Sequence, residues 1–452
     1  MLGVGFGPAN LALAIALHEQ AEVPPQASRT PKCAFLERKS EFSWHRGMLL
    51  DDATMQVSFL KDLATLRNPQ SRFTFVNFLH EQGRLQEFIN FKSFCPLRVE
   101  FHDYLSWAAA QFVEQTHYRE EVVGIEPQFV RGQLQGFVVR SGNGRVRKTR
   151  DVVFAAGLRP TLPAGIATGD RVWHSSQLLN RLGALSASPC GHQGGESSGA
   201  SGEAAAELLP TGLPPLKCGE PLSVAVIGGG QSAAEVVALL HQRFGNATVH
   251  AIHSRFGFAP SDSSPFVNQI FDQDAIRLFH ESPPEVRAKI LQDHRNTNYA
   301  VVDEELILQL YRLSYRERLQ GTRRLRFHPL SRVESAESHG DKVHLEVCNL
   351  ADRSREVLKV DIAIFATGYR SVSPAELLGS ARELCIADQG GNLAVDAQYR
   401  LLLNVPGDAA IYVQGATEHS HGLGSTLLSN VAHRAQVIAD ELLSHRLTER
   451  QA

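Results

Sequence analysis

Paired cysteines are missing from this 452-residue chain. Its six thiols, Cys33, Cys95, Cys190, Cys218, Cys348 and Cys385, never approach closer than 28 positions (218 minus 190). No Cys-x-x-Cys redox pair or zinc knuckle can be built locally from them, which removes disulfide-reductase chemistry; they read as small core residues in a reducing compartment. Long apolar runs are missing too. No stretch approaches the roughly 20 residues that span a bilayer, and the apolar N-terminus lacks a basic lead, so a cytoplasmic protein with no membrane partner is expected. An excess of charge of either sign is also absent: 45 Lys and Arg face 48 Asp and Glu, for a net charge of −3. That balance gives no electrostatic case for nucleic acid, and any anion site must be local. The 19 histidines, His45 and the His419-Ser-His421 pair among them, lack partners at ligand spacing, and no metal is assigned. What remains is a chain with 43% hydrophobic residues, long enough for two or three domains with sizeable cores.

Glycine is where the chain becomes specific. Two fingerprints occur, Gly5-Phe-Gly7-Pro8-Ala-Asn10 and Gly228-Gly-Gly230-Gln231-Ser232-Ala233. Each follows a short apolar run, Met1 to Val4 and Val224 to Ile227, and each opens a segment of helical periodicity, Leu11 to Leu17 and Ala234 to Leu240. Strand, tight turn and helix form the context in which glycines let the backbone approach a pyrophosphate, whose charge then rests on free N–H groups at the helix start. The expected fold class is therefore α/β, with two Rossmann-like dinucleotide-binding domains and a small helical substrate-binding segment. Only four residues precede Gly5, which predicts an abbreviated first strand and a native start that lies upstream or has been trimmed. Asn10 stands where a third glycine is usual, so helix and strand should pack slightly less closely there.

The ends of the second strands separate the two cofactors. Lys32 to Glu37 reads as a buried strand ending in an acid 32 residues past Gly5, longer than the usual spacing of about 20 because a polar stretch, Glu22 to Thr30, is inserted. Glu37 can accept ribose hydroxyls and repels a 2′-phosphate, which favours FAD. Ala247 to His253 is the corresponding strand of the second unit, and it ends in Ser254 and Arg255, a pair that can take the 2′-phosphate of NADPH. Further strands are expected at Val122 to Glu126, Gly136 to Arg140, Asp151 to Gly157 and Asp361 to Gly368. The last two end in small residues that let the chain cross close to a cofactor, with Thr367 and Gly368 assigned to cofactor binding. Residues 186–220, rich in Gly, Ser, Ala and Pro, read as a flexible insertion. The resulting division is 1–180 for the first part of the FAD domain, 221–362 for the NADPH domain with a substrate segment near 260–320, and 363–452 for the rest of the FAD domain and substrate closure.

Several segments between and beyond the fingerprints carry a closer likeness. They are Phe42 to Leu50, Met55-Gln56-Val-Ser-Phe-Leu-Lys61-Asp-Leu63, Leu66 to Pro69, Phe73 to Leu79, Asp262 to Asn268, Asn296-Thr-Asn298-Tyr299 with Val301-Val-Asp303, Ala366-Thr367-Gly368-Tyr369, His421 to Leu423 and Thr426-Leu-Leu-Ser429. Together they resemble the microbial amine N-hydroxylating flavin monooxygenases, most strongly the L-ornithine N5-monooxygenases of siderophore biosynthesis, from the first turn to about Ala435.

The resemblance implies an enzyme that reduces FAD with NADPH, captures O2 as a C4a-hydroperoxide while retaining NADP+, and hydroxylates the side-chain amine of a free amino acid. It implies a homotetramer as well. By motif, Lys61 resembles the lysine that pairs with the substrate carboxylate, Asn268 and Asn298 the asparagines that orient its α-amino group and backbone, and Ser429 the serine near the reactive amine. Gln56 is expected beside flavin and substrate, and Trp44 and His45 are expected to pack near the flavin. A lysine with two asparagine amides suits a zwitterionic ligand. No residue is assigned as acid or base, because the oxygen transfer belongs to the cofactor and the protein supplies orientation and a dry pocket. The sequence departs from the family pattern at Gly424-Ser425, where ornithine enzymes tend to carry Ser-Asp, and at Ser254, where the phosphate-binding arginine is expected and Arg255 follows one step later. Hydroxylation of L-lysine or a diamine, and flavin reduction without oxygenation, are the competing readings.

Overall fold

Both fingerprints lie at the centres of five-stranded parallel sheets in the computed structural model, which describes residues 1–23, 31–186 and 221–451. The first sheet runs Ile411–Val413, Val152–Phe154, Leu2–Val4, Ala34–Leu36 and Thr116–His117. The second runs Leu325–His328, Thr248–Ile252, Ser223–Ile227, Ile362–Phe365 and Val172–His174. Sheets of this kind are covered on both faces, so their strands are continuous apolar runs; Val152–Phe154 and Ile362–Phe365 are buried throughout.

The first strand is short, at three residues, but it matches its neighbours: Leu2, Gly3 and Val4 pair in register with Ala34 to Leu36 on one side and Val152 to Phe154 on the other. The fingerprint helices span Pro8–Ala21 and Gln231–Arg243. Every residue from Asn10 to Leu17 is buried, because the first helix lies between its sheet and the C-terminal helix Val431–Gln451. Helices Phe75–Glu81, Leu85–Phe91 and Arg98–Ala110 add an aromatic core around Phe75, Phe101 and Tyr104.

Each parallel sheet carries a three-stranded antiparallel companion, Val122–Val130 with Gln133–Ser141 and Val146–Thr149, and Ser331–His339 with Lys342–Asn349 and Arg355–Val360. The chain passes between the halves through two antiparallel strands, Leu158–Pro160 and Tyr369–Ser371, entered from Gly157 at φ 73° and Gly368 at φ 82°. These are the small-residue strand ends singled out in the sequence, and positive φ is what glycine permits there.

Two expected boundaries move. Val172–His174 hydrogen-bonds to Ile362–Phe365 within the second sheet, so the first unit ends before Val172 and not at 180, and the second runs through Phe365 and not to 362. Apolar periodicity could not reveal that an early strand crosses over. The expected insertion at 186–220 lies outside the described residues apart from Ser186, as does most of the polar stretch after Glu22.

Candidate active site

One cleft of about 2140 Å³ runs between the halves, and both glycine turns open into it. Gly5, Gly7, Pro8, Glu37, Trp44, His45 and Gln56 line it from the first half, and Gly228, Gly230, Gln231, Ser232, Ser254, Asn298, Thr367 and Gly368 from the second half and the crossing.

The first turn is built for a close-lying anion. Gly5 sits at φ +85°, where a Cβ would stand 2.4 Å from the Ala155 carbonyl oxygen, whereas a Cβ on Gly7 would meet nothing within 4 Å. Gly5 is thus a requirement of the fold, and Gly7 leaves an open cradle beside the helix start. That cradle fits a dinucleotide pyrophosphate. Glu37, nearly buried, accepts the Phe6 N–H at 2.8 Å and the Lys39 N–H at 3.0 Å, so it braces the turn while facing the cleft. Asn10 differs from the expected direct cofactor contact. It is fully buried beneath the turn, donates to the Gly5 carbonyl at 2.7 Å and accepts from the Gln414 amide at 3.0 Å, and is not part of the cleft wall.

Trp44 and His45 pack edge to face at 4.6 Å, and His45 meets Tyr369 at 6.0 Å, joining the first half to the crossing strand. The Thr367 hydroxyl donates to the Thr161 carbonyl, so its polar end is used in holding that crossing.

In the second turn Gly228 has φ +151° and its Cβ would meet the Ala366 oxygen at 2.4 Å, while a Cβ on Gly230 would lie 3.3 Å from Ala300 Cα. Ser254 faces the cleft. Arg255 is exposed, donates to the Ala300 carbonyl at 2.8 Å and stands outside the wall.

Of the substrate-associated residues, only some line the cleft. Gln56 and Asn298 are in the wall together with Tyr299, Thr426 and Leu428. Lys61, Asn268 and Ser429 are not, although Val57 and Leu428, close in sequence to two of them, are. Lys61 is half-buried and has no carboxylate partner among the described residues. Its segment is rigidly held: buried Asp62 accepts N–H bonds from Ala64, Thr65 and Phe75 at 2.9, 2.6 and 2.7 Å, and the Tyr104 hydroxyl accepts the Leu63 N–H at 3.1 Å. Ser429 is buried, and Asn268 is half-buried with its amide donating to the Ser264 carbonyl at 3.1 Å.

Sequence reasoning missed the polar framework that ties these pieces together. Gln56 donates to Asp303 at 3.3 Å; Gln231 donates to Asp303 at 3.0 Å and to Glu235 at 3.1 Å; Arg98 grips Glu235 at 2.7 and 3.0 Å. Burial pushes the Asp303 carboxyl above its ordinary range, with the Gln56 and Gln231 amides and Arg98 opposing and Glu235 reinforcing it. Asp303 belonged to a quoted motif, yet nothing in a Val-Val-Asp string identifies its partners. The Tyr299 hydroxyl donates to Glu418 across the cleft, and burial together with that carboxylate raises its pKa. Arg434 also lines the cleft; its only signal was a cation within an otherwise apolar helix start, Val431-Ala-His-Arg434-Ala435.

Two turns sharing one cleft, with amides and aromatic rings between them, is an arrangement for a two-cofactor redox reaction on a small molecule. The description of the L-lysine 6-monooxygenase/L-ornithine 5-monooxygenase family matches residues 1–371. The chain belongs to this family. It is 40% identical to an L-ornithine N(5)-monooxygenase of Burkholderia cepacia, covering 93% of this chain and 89% of the relative. The ornithine N-hydroxylase of Kutzneria sp. 744, solved with reduced FAD, NADP+ and L-ornithine, superposes with a TM-score of 0.86 at 40% identity over 100% of this chain and 99% of that one. The L-lysine 6-monooxygenase of Pseudomonas syringae gives 0.80 at 30% identity over 98% and 99%. The family membership carries with it the α/β two-dinucleotide architecture and the character of an NADPH-dependent flavin N-monooxygenase. No helix among the described residues is long and apolar enough to cross a membrane.

Proposed function

We propose that the protein hydroxylates the side-chain amine of L-ornithine, converting RNH2, O2, NADPH and a proton into RNHOH, water and NADP+, as a cytoplasmic step toward a siderophore or a related product. The observation that carries this reading is the opening of both glycine turns into one cleft that Gln56, Asn298 and Thr426 also line. FAD, when bound, supplies the electron transfer and oxygen activation. The first half, with Gly7 and Glu37, holds FAD; the second, with Gly230 and Ser254, holds NADPH, and Arg255 swings from Ala300 toward the 2′-phosphate. Lys61, a half-buried cation without a carboxylate partner among the described residues, takes the substrate carboxylate, and Asn268 and Asn298 take its α-amino end. Ser429 stands near the reactive amine. That amine acts in its neutral form, so a weakly polar pocket that lowers its pKa favours the reaction, and the rate rises with pH along the alkaline limb.

The substrate choice favours ornithine over lysine because the likeness is stronger to ornithine enzymes, 40% against 30% identity. A homotetramer belongs to the same proposal. An apolar stripe of exposed Leu308, Tyr311, Tyr315 and Leu319 on the helix Glu304–Leu319 offers a surface for it.

The test is NADPH oxidation measured beside hydroxylamine formation on a panel of ornithine, lysine and putrescine. Ornithine should give the most product per NADPH; equal or greater product from another amine would remove the substrate assignment. Lys61→Ala should raise KM for ornithine on the order of 10–100-fold, the range of a charge-assisted contact, with flavin reduction retained. An unchanged KM removes Lys61 from the site.

A further inference from the structure

Arg434 is the most deeply buried cation that faces the cleft. It is 3% exposed and stands in the first turn of the C-terminal helix Val431–Gln451. Its guanidinium donates to the Ser425 carbonyl at 2.8 Å and to the Gln414 side-chain oxygen at 3.4 Å, both neutral acceptors, and no carboxylate among the described residues pairs with it. The Tyr399 phenol, the one acidic group that acts on it among the described residues, is itself neutral near pH 7 because burial raises its pKa, and His421 and His433 beside it are held toward their neutral forms by burial. A guanidinium cannot shed its proton, and an uncompensated buried charge is strongly destabilising. The site therefore suits an anionic ligand. Two neighbours point the same way: the buried Ser425 hydroxyl, also in the cleft wall, has no hydrogen-bond partner among the described residues, and the helix start adds its positive dipole end.

FAD carries negative charge in two places, at the pyrophosphate in every redox state and at the N1–C2 carbonyl edge of the ring only after two-electron reduction. The pyrophosphate has its own cradle at Gly5 to Pro8, to which Arg434 is linked by Gln414, whose amide bonds Ala9 and Asn10. Arg434 instead bonds the Ser425 carbonyl directly, and the next residue, Thr426, meets the Tyr299 hydroxyl beside Asn298, among the residues assigned to the substrate, which the reacting ring has to meet.

We propose that Arg434 is the cation that compensates the anionic, reduced isoalloxazine ring, making the protein bind reduced FAD more tightly than oxidised FAD and so favouring reduction by NADPH. Arg434 is a positioning charge for the cofactor and takes no part in proton or oxygen transfer. The inference rests on the FAD reading given above.

The experiment is the midpoint potential of the flavin-loaded protein, obtained by slow reduction against a reference dye, for wild type, Arg434→Gln and Arg434→Lys. Glutamine keeps donors for Ser425 and Gln414 but removes the charge. Its reduced FAD should bind on the order of tenfold more weakly relative to oxidised FAD, about 30 mV on a two-electron couple, while lysine restores most of the difference. Oxidised FAD and ADP affinity should change little in either variant. Loss of oxidised FAD and ADP affinity together, with the potential unmoved, assigns Arg434 to the pyrophosphate and overturns the proposal, as does a potential unmoved with all affinities intact. Should Arg434→Gln fail to fold, the wild type still decides. A reduced ring held as the anion takes up one proton per two electrons, so its potential should change by about 30 mV per tenfold change in proton concentration from pH 6 to 8; twice that slope throughout overturns the idea. A protein that binds no flavin at all defeats the proposed function, whereas a yellow protein with an unmoved potential defeats only this inference.

Discussion

The two glycine turns occupy equivalent places in their sheets, yet the layers beneath them are packed by exchanged residues. In the first half Gly3 pairs with Phe35, and Asn10 lies under the turn; in the second the same three places hold Val226, Ala251 and Ala233. A Cβ on Gly3 would lie 2.4 Å from the Phe35 ring and 2.9 Å from the Asn10 amide. The close approach that a third glycine usually permits is thus provided from the strand instead of the helix. The first turn is then fastened by distant partners, Gln414 on Asn10 and Glu37 on Phe6, whereas the second relies on the tight fit of Gly228 against Ala366 and Ala233. One motif therefore tolerates two packing solutions, provided that volume is conserved across the three positions.

The largest break in the comparison should come from an alanine at the left-handed glycines. Gly5→Ala and Gly228→Ala both force a Cβ to 2.4 Å from a backbone oxygen at a positive φ, and each should cost about 3 kcal/mol or more. Their consequences should separate by half. Gly5→Ala should purify without yellow colour, while Gly228→Ala should retain flavin absorbance and lose reduction by NADPH. A colourless Gly228→Ala protein would show that the halves are not independent in cofactor binding. Gly7→Ala is the control, since it meets no protein atom: its melting temperature should stay near wild type while FAD affinity falls.

A smaller effect is expected from grafting one solution onto the other. Gly3→Val alone should destabilise by about 2–3 kcal/mol through overpacking. Combined with Phe35→Ala and Asn10→Ala it should recover part of that loss, measurable as a coupling energy in a denaturant-unfolding cycle. Strict additivity would mean that the three positions do not share a volume constraint.

This exchange also marks how far the sequence could be read. Strand, glycine turn and helix were legible because each is local: Leu2–Val4 with Pro8–Ala21 and Ser223–Ile227 with Gln231–Arg243 lie where periodicity puts them. Contacts made across hundreds of residues were not legible. Asn10 was read as a cofactor contact and is instead a brace, because its partner Gln414 lies 404 positions away. Val172–His174 was placed in the wrong unit because strand pairing across a crossover leaves no periodic trace. Arg434 and Asp303 escaped for a related reason, since burial and the lack or presence of a partner decide the meaning of a charge.

The smallest effect separates the halves by pH. His250, in the second sheet, has its pKa lowered to about 4 by burial and by His328, whose ring nitrogen lies 3.0 Å away, and by Arg326. His421, at the end of the short helix Glu418–His421 and stacked on Tyr399 at 4.0 Å, is lowered to about 3 by burial and by His280, among smaller contributions. Both are neutral when folded and titrate near 6.5 when unfolded, so the unfolded chain binds more protons below that value. The stability each contributes is complete above pH 6.5 and is lost as pH falls toward the folded pKa, about 1–2 kcal/mol apiece between pH 7 and pH 5. Melting followed by flavin fluorescence should fall over that range. His421→Phe should flatten the pH dependence of flavin release, while His250→Leu should flatten that of the second half, read by loss of NADPH binding with flavin still held. Equal flattening of both signals by either variant would mean that the halves unfold as one cooperative unit, and the contrast between the two turns would then be one of packing alone.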